Sequence, residues 1–281
     1  MTATTAPIRA KRVLPGLTLS LGTTLLYLTI IVLIPVLALI LKGAEIGPER
    51  FLRIVTSPRT LSALKVTVTA AAVSTLFNAA YGLLMAWVLV RYEFPGKRLL
   101  DALMDIPFAL PTAVAGLSLT ALFSANGWFG PVLDALGIQV VYTIWGIIIA
   151  MTFTSIPFVV RTVQPVLEDL DPALEQAAMT LGARPFTIFR RVVFPAILPA
   201  FLAGATIAFA RSLGEFGAVV FIAGNKPMET EIASLLAYIR LEEYDYAGAA
   251  AIALVLLIFA LVLLVLSNLL QRWAARSREA R

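Results

Sequence analysis

Apolar residues in this chain come in long runs, and polar residues are largely confined to the short stretches between them. A helix needs about 20 apolar residues to cross a bilayer. Runs of that order occupy residues 17–41, 66–90, a third segment beginning near Asp101, and residues 143–160, 197–223 and 247–270. Their repetition predicts an all-α, polytopic membrane protein with about six transmembrane helices. Pro35 lies inside the first run, where neighbouring helices can satisfy a freed carbonyl. The third carries Pro107 and Pro111 in its first half. Two prolines at that spacing break or kink a helix, and Gly116 adds freedom. Broken helices line transport pathways, although a kink that only shapes packing fits the same residues. Between the runs, residues 42–65 predict a polar connection with turns at Gly43, Gly47, Pro48 and Pro58. Residues 91–98 predict a short basic loop around Pro95-Gly96. Residues 126–131 predict an interfacial turn, with Trp128, Tyr142 and Trp145 suited to the headgroup level.

One polar island, at about residues 164–195, has its own helical chemistry. Asp171-Pro172 is a helix start, because the carboxylate can accept an orphan amide and proline is tolerated at the first helical position. Leu174, Ala177, Ala178 and Leu181 repeat at helical spacing and lay down one apolar stripe. Gly182 then serves as a C-terminal cap, where a left-handed residue costs least. Pro185 opens a second short helix, with Phe186, Phe189 and Val193 on one face and Arg190 and Arg191 near the membrane. The pattern fits two roles, an amphipathic loop lying on the membrane surface or a handle by which an outside protein grips one inside it.

Composition supports the membrane assignment, with 60% hydrophobic and 14% charged residues and a mean hydropathy of +0.91. Cys and His are both absent, which removes thiol catalysis, disulfides, haem attachment and nearly all transition-metal sites. The net charge of +5 does not call for nucleic acid, because Lys and Arg gather at the cytoplasmic ends of membrane helices. Fourteen of them fall in the amino-terminal segment, the loop at 91–98, the polar island with its flanks and the tail, against seven in the alternate loops. That asymmetry predicts cytoplasmic termini and a cytoplasmic island. Lys42, Arg50, Arg53, Arg59 and Lys65 make the first external connection an exception, open to reading as an anion-attracting or partner-docking mouth. The organisation is thus a cytoplasmic segment at 1–16, one transmembrane domain at 17–270 and a basic tail at 271–281. The first run is too long for a signal-peptide core and reads as a retained span.

The fifth run holds the clearly intramembrane charges, Arg211 and Glu215. Four residues apart, they share a helix face and can pair. Charge in hydrocarbon is costly, so both must face a cavity or a partner helix. They fit a structural ion pair between subunits. They also fit a gate with Ser212, in which Arg211 attracts an anion while Gly214 and Gly217 give the backbone room to move. Glu229, Glu231, Glu242, Glu243 and Asp245 make the last external loop acidic, either a solvated face or a docking surface. No Gly-rich phosphate loop is present, so the chain should not bind ATP. Nor is there a pairing of acid and base at membrane depth that would support an enzyme.

Gln176-Ala177-Ala178, Gly182 and Val192-Val193-Phe194-Pro195 together resemble the cytoplasmic coupling loop of bacterial ABC-importer permeases, whose pattern is Glu-Ala-Ala, three residues, Gly, nine residues, Ile-x-Leu-Pro. Gln176 departs from the family's Glu, with Glu175 beside it. Arg211-Ser212-Leu213-Gly214-Glu215-Phe216-Gly217-Ala218 is similar to permeases for sulfate, thiosulfate and molybdate. Leu99-Leu100-Asp101-Ala102-Leu103, Pro107-Phe108-Ala109-Leu110-Pro111, the run from Phe153 to Pro165 and Phe221-Ile222-Ala223-Gly224-Asn225 resemble the T-type permease of the sulfate/thiosulfate family.

The resemblance implies a type I ABC-importer permease fold in the cell inner membrane. It implies ATPase docking at Glu175, Gln176, Ala177, Ala178, Gly182, Ala183 and Arg184. Arg211, Ser212, Gly214, Glu215 and Gly217 become the substrate pathway or gate, with a helix break at Pro107 and Pro111. The implied partners are two copies of an ABC ATPase, a homologous W-type permease and a periplasmic sulfate/thiosulfate-binding protein. No cofactor would bind this chain, ATP and Mg belonging to the ATPase. The expected function is sulfate/thiosulfate import by alternating access. A molybdate/tungstate permease is the alternative, and an ATP-independent anion transporter a more distant one.

Overall fold

A computed structural model describes residues 16–279. The amino-terminal segment up to residue 15 and the last two residues of the basic tail lie outside the described residues. The first helix, α1 (Leu17–Glu45), carries a π-helical turn at Thr29–Leu33. That turn ends two residues before Pro35. A proline withholds an amide and its ring crowds the carbonyl four residues back, so widening the preceding turn lets the helix continue. Most of α1 faces outward, but Gly43 is buried, since a Cβ there would lie 1.9 Å from Leu254 Cδ1.

Residues 42–65, expected as a polar connection, are mostly helical. They contain α2 (Pro48–Val55) and the start of α3 (Pro58–Arg91), each opening on a proline. Ser57 caps α3, its hydroxyl accepting from Thr60 N at 3.4 Å. The turn signals at Pro48 and Pro58 are therefore helix starts. The third run divides into α4 (Lys97–Met104), α5 (Ile106–Ala109) and α6 (Thr112–Phe123). Between α5 and α6, Leu110 and Pro111 are extended, with ψ of 133° and 132°. A short α7 (Gly130–Ala135) precedes α8 (Ile144–Glu168), which reaches further than the apolar run at 143–160.

The polar island supplies α9 (Pro172–Thr180). The helix opened by Pro185 is not a separate short one. It forms the first turns of α10 (Pro185–Leu213), which passes Pro195 through a second π-helical turn at Phe189–Val193. That turn also ends two residues before its proline. The fifth span consequently starts before residue 197 and stops at Leu213, short of residue 223. Residues 214–216 break it, and α11 (Gly217–Ile222), α12 (Ala233–Glu242) and α13 (Tyr246–Glu279) follow. Among the described residues, α1, α3, α8, α10 and the Tyr246–Leu266 part of α13 are long and apolar enough to cross a membrane, with α6 a shorter apolar helix.

Helices α3, α8 and α10 form the centre of the bundle, and α13 packs against α10 and α12. Val159 of α8 sits between two glycines. A Cβ on Gly82 of α3 would lie 2.8 Å from Val159 Cβ, and one on Gly204 of α10 would lie 3.0 Å from Val159 Cα. Lipid offers no hydrophobic drive for helices to associate, so close approach over small residues supplies the contact. One apolar core, with Met85, Leu89, Val163, Ile188 and Ile197, lies toward α9. Another, with Ala70, Met151, Leu213 and Ile222, lies toward α11 and α12. Between them runs a buried polar layer. Asn78 Nδ2 donates to Ser155 Oγ at 2.8 Å and to the Thr152 carbonyl at 3.1 Å, and the hydroxyls of Ser155 and Ser212 are 3.1 Å apart.

The acidic last loop is not wholly a solvated face. Glu231 is fully buried and takes a two-point grip from Arg59, with Nε to Oε2 at 2.8 Å and Nη2 to Oε1 at 2.7 Å. The basic first connection and the acidic last loop thereby hold each other, whereas Glu229, Glu242 and Glu243 remain exposed.

Candidate functional site

Two places gather the residues singled out in the sequence. The first is α9 and its junction with α10. Asp171 caps the helix, its Oδ1 accepting from Ala173 N at 2.9 Å. At the other end Gly182 has φ of +79°. The Gly182 amide donates to the Met179 carbonyl at 2.9 Å and the Ala183 amide to the Ala178 carbonyl at 3.1 Å. Those two bonds form a Schellman closure, which requires the left-handed residue at its centre. Among the described residues a Cβ on Gly182 would meet nothing within 4 Å. Glycine is needed there for its backbone freedom and not for space.

The stripe of Leu174, Ala177, Ala178 and Leu181 does not pack as a unit on the rest of the chain. Ala178 and Ala183 lean on the core beneath α3 and α10. Leu174, Met179, Leu181 and Phe186 are exposed, Leu181 by 88%. Gln176, Ala177 and Arg184 are also exposed, and Arg184 has no ion-pair partner among the described residues. Glu175 differs from its neighbours. It turns inward and pairs with Arg91, the last residue of α3. The Arg91 guanidinium lies over the Trp87 ring at 5.4 Å, and Trp87 meets Phe189 edge-on at 5.3 Å.

The second place is the break after α10. Glu215 lies beyond the helix end, yet its pairing with Arg211 is made, with Oε2 2.7 Å from Nη1. Glu215 is 1% exposed and Arg211 34%. The other carboxylate oxygen accepts from Ala218 N at 2.9 Å, so Glu215 starts α11 while it neutralises Arg211. Ser234 Oγ donates to the Glu215 carbonyl at 2.8 Å, which fixes the break from a third side. Ser212 belongs to the buried polar layer with Ser155, away from the exposed part of Arg211.

The interruption around Pro107 and Pro111 packs against this break. A Cβ on Gly217 would lie 2.2 Å from Thr112 Oγ1, and one on Gly116 would lie 2.2 Å from the Ala218 carbonyl oxygen. The starts of α6 and α11 are therefore in backbone-close contact. Gly214 has no such neighbour, the nearest atom being 3.8 Å away. Gly217 is needed for close approach and Gly214 is not.

Arg161 was not singled out by sequence, although an arginine near the end of an apolar run is a signal. It binds Asp105 through Nε and Nη2 at 2.8 and 2.7 Å, and Asp101 through Nη1 at 2.6 Å. Its Nη2 also donates to the Asp101 carbonyl at 2.9 Å. This one guanidinium ties α4 and the turn into α5 to α8. Among the described residues no cluster of three or more His, Cys, Asp or Glu is placed to hold a metal ion.

Residues 78–279 match the family described as "Binding-protein-dependent transport system inner membrane component". The chain is 55% identical over 264 residues to the sulfate transport system permease protein CysT of Salmonella typhimurium, covering 94% of this chain and 95% of that protein. It is 48% identical over 253 residues to the CysT protein of Synechococcus elongatus, covering 90% and 91%. In structure it resembles a chain of a bacterial ABC transporter involved in the import of the acidic polysaccharide alginate. The TM-score is 0.75 at 18% identity, over 91% of this chain and 94% of that one. A chain of the MetNI methionine ABC transporter, in an inward-facing conformation, gives a TM-score of 0.58 at 20% identity, over 76% and 95%. At such identities the structural likeness carries the fold alone.

Proposed function

The chain belongs to the family of binding-protein-dependent transport system inner membrane components, and from that premise we propose that it is the membrane-spanning subunit of an ATP-driven sulfate and thiosulfate importer. It is a multi-pass inner-membrane permease, not itself an enzyme, and it needs no cofactor of its own. It works with an ATPase and a periplasmic binding protein. The finer assembly we propose has two ATPase copies, a homologous W-type permease beside this chain, and both termini in the cytoplasm. The observation that carries the substrate is the likeness to sulfate permeases over 94% of the chain.

The mechanism proposed is alternating access. The exposed apolar residues of α9 and the start of α10 supply the ATPase contact, with Gln176, Ala177, Ala178, Gly182, Ala183 and Arg184 forming or shaping it. ATP-driven closure of the ATPase pair moves α9, and the Schellman closure at Gly182 passes that movement into α10. At the far end of α10, Arg211 and Glu215 sit where α6 and α11 meet. The part of Arg211 that remains exposed supplies a positive charge for a tetrahedral dianion. Glu215 keeps that charge neutralised when no anion is present, and exchange of one partner for the other is the gating step. Ser212, Gly214 and Gly217 act through the backbone around this switch.

The test is uptake of labelled sulfate by cells with and without the chain, competed separately with thiosulfate and molybdate, with the ATPase intact or inactivated. The expected result is uptake that needs both chain and ATPase and yields to thiosulfate. Preferential loss to molybdate would reassign the substrate, and indifference to the ATPase would discard the mechanism.

A further inference from the structure

We propose that Arg91 and Glu175 form a strut that makes α9 a two-point lever, transmitting its movement to α3 as well as to α10. The proposal rests on the reading of α9 as the ATPase contact and assigns Glu175 a different role within it, positioning the lever instead of touching the ATPase.

The argument starts from how loosely α9 is otherwise held. The helix has nine residues, none of them fully buried. It packs on the first turns of α10 and is joined to them covalently through Gly182. Its other end is joined to α8 only through residues 169–171, so without a further contact a push on α9 could be absorbed by flexing in that short link and about Gly182. The Arg91–Glu175 pair supplies a side-chain anchor on a helix that is not its neighbour in the chain, α3. It sits where both helix ends favour it. Arg91 is the last residue of α3, at the negative end of that helix's dipole, and Glu175 is in the first turns of α9, at the positive end. Both side chains are mostly buried, at 23% and 16% exposure, so solvent screens the pair less than a surface ion pair.

The guanidinium is also held against rotation. It lies over Trp87, and Arg91 Nε is buried with no hydrogen-bond acceptor among the described residues. Glu175 and Trp87 therefore fix its position. Trp87 in turn touches Phe189 in the π-helical turn of α10. The strut closes a triangle of α3, α9 and α10, and a triangle moves as a body where a single hinge would bend.

The test uses the assembled transporter, reconstituted in lipid with its binding protein, and measures labelled sulfate moved per ATP hydrolysed together with co-purification of the ATPase. Glu175→Gln and Arg91→Gln should each leave co-purification intact and lower the ratio by roughly five-fold or more, the lower range of a typical coupling between sites. The charge-exchanged double variant, Arg91→Glu with Glu175→Arg, should restore most of it. An unchanged ratio in both single variants would overturn the strut while leaving the docking reading standing. Loss of ATPase co-purification from Glu175→Gln alone, without rescue by the exchange, would make Glu175 a direct ATPase contact and overturn it too. Failure of a Leu181→Cys variant to cross-link to the ATPase would instead overturn the docking reading beneath it.

A second measurement does not depend on how well these variants fold. The chain has no native Cys, so a bifunctional thiol reagent applied to an assembled Arg91→Cys, Glu175→Cys variant has those two targets within it. Bridging them should raise a lowered coupling ratio, and a ratio unmoved by bridging would overturn the proposal.

Discussion

Replacing Gly182 tests whether conformation or contact governs the coupling segment. The residue stands at φ of +79° with nothing among the described residues within 4 Å of the position a Cβ would take. Within this chain, then, a substitution is penalised by backbone conformation and not by crowding. An L residue in the left-handed region costs roughly 1–2 kcal/mol, and a β-branched one belongs at the upper end or above. A penalty of about 1–3 kcal/mol shifts the balance between the closed and opened cap by about 5–150-fold. Asparagine tolerates this region far better. The expected order of damage is therefore Gly182→Asn least, Gly182→Ala intermediate and Gly182→Val most. ATPase co-purification and sulfate uptake should fall in parallel while the amount of chain in the membrane stays constant. If Asn proves as harmful as Val, side-chain bulk against the ATPase is the cause and the conformational argument fails. If all three behave as wild type, the cap does not orient α9.

Three further outcomes follow from the same contacts. Gly116→Ala places a Cβ 2.2 Å from the Ala218 carbonyl oxygen; backbone cannot turn aside as a side chain can, so a loss of about 1–3 kcal/mol is expected as a lower melting temperature of the purified complex, whereas Gly214→Ala should be neutral. Arg211→Met strands the buried Glu215 carboxylate, and breaking such a pair costs about 3–5 kcal/mol, toward the lower end here because Arg211 is partly exposed. Adding Glu215→Gln should therefore recover assembly in a co-purification assay but not anion uptake, and recovery of uptake would return Arg211 to a purely structural role. Arg161→Lys cannot span Asp101 and Asp105 together, so proteolysis within α4 and α5 should accelerate, with a stability loss on the order of 1 kcal/mol for so exposed a site.

The parts of this fold that were legible in the sequence are those decided by local chemistry. Hydropathy marks most of the spans, though not the division of the third run or the early end of the fifth at Leu213, and Gly182 lies just past the apolar stripe, where a helix needs a left-handed residue. Proline is less legible because its effect depends on its surroundings. Pro48 and Pro58 carry turn signals in the sequence and are helix starts in the structure, since Gly47 and Ser57 supply the preceding non-helical residues. Pro195 did not halt α10 because the turn ahead of it widened. The site charges were legible only in part. Arg211 and Glu215 announce themselves by spacing, although the helix has ended before the second of them. Arg91 with Glu175, Arg161 with Asp101 and Asp105, and Arg59 with Glu231 are 84, 60, 56 and 172 residues apart. No periodicity links such partners, because the fold itself brings them together.

The placement of those pairs on α3 has a mechanical meaning. At 34 residues and 1.5 Å per residue, α3 is about 50 Å long, and it is tied ionically near each end, by Arg59 to Glu231 and by Arg91 to Glu175. Its middle contacts differ in kind. Gly82 meets Val159 by close apolar contact, and Asn78 meets the Ser155 hydroxyl, a neutral hydrogen bond that a small shift can bend without exposing a charge. A helix tied ionically at its ends and packed along its middle against α8 and α10 tilts as a rod instead of bending. Packed interfaces of this sort have discrete arrangements and amplify small displacements. A push delivered to α9 on one face of the bundle therefore has a direct route along α3 to the loop that holds Glu231, next to the Ile232–Ser234 segment whose Ser234 hydroxyl fixes the Glu215 carbonyl. The ATPase contact and the anion gate, proposed on separate grounds, are thus joined by one helix.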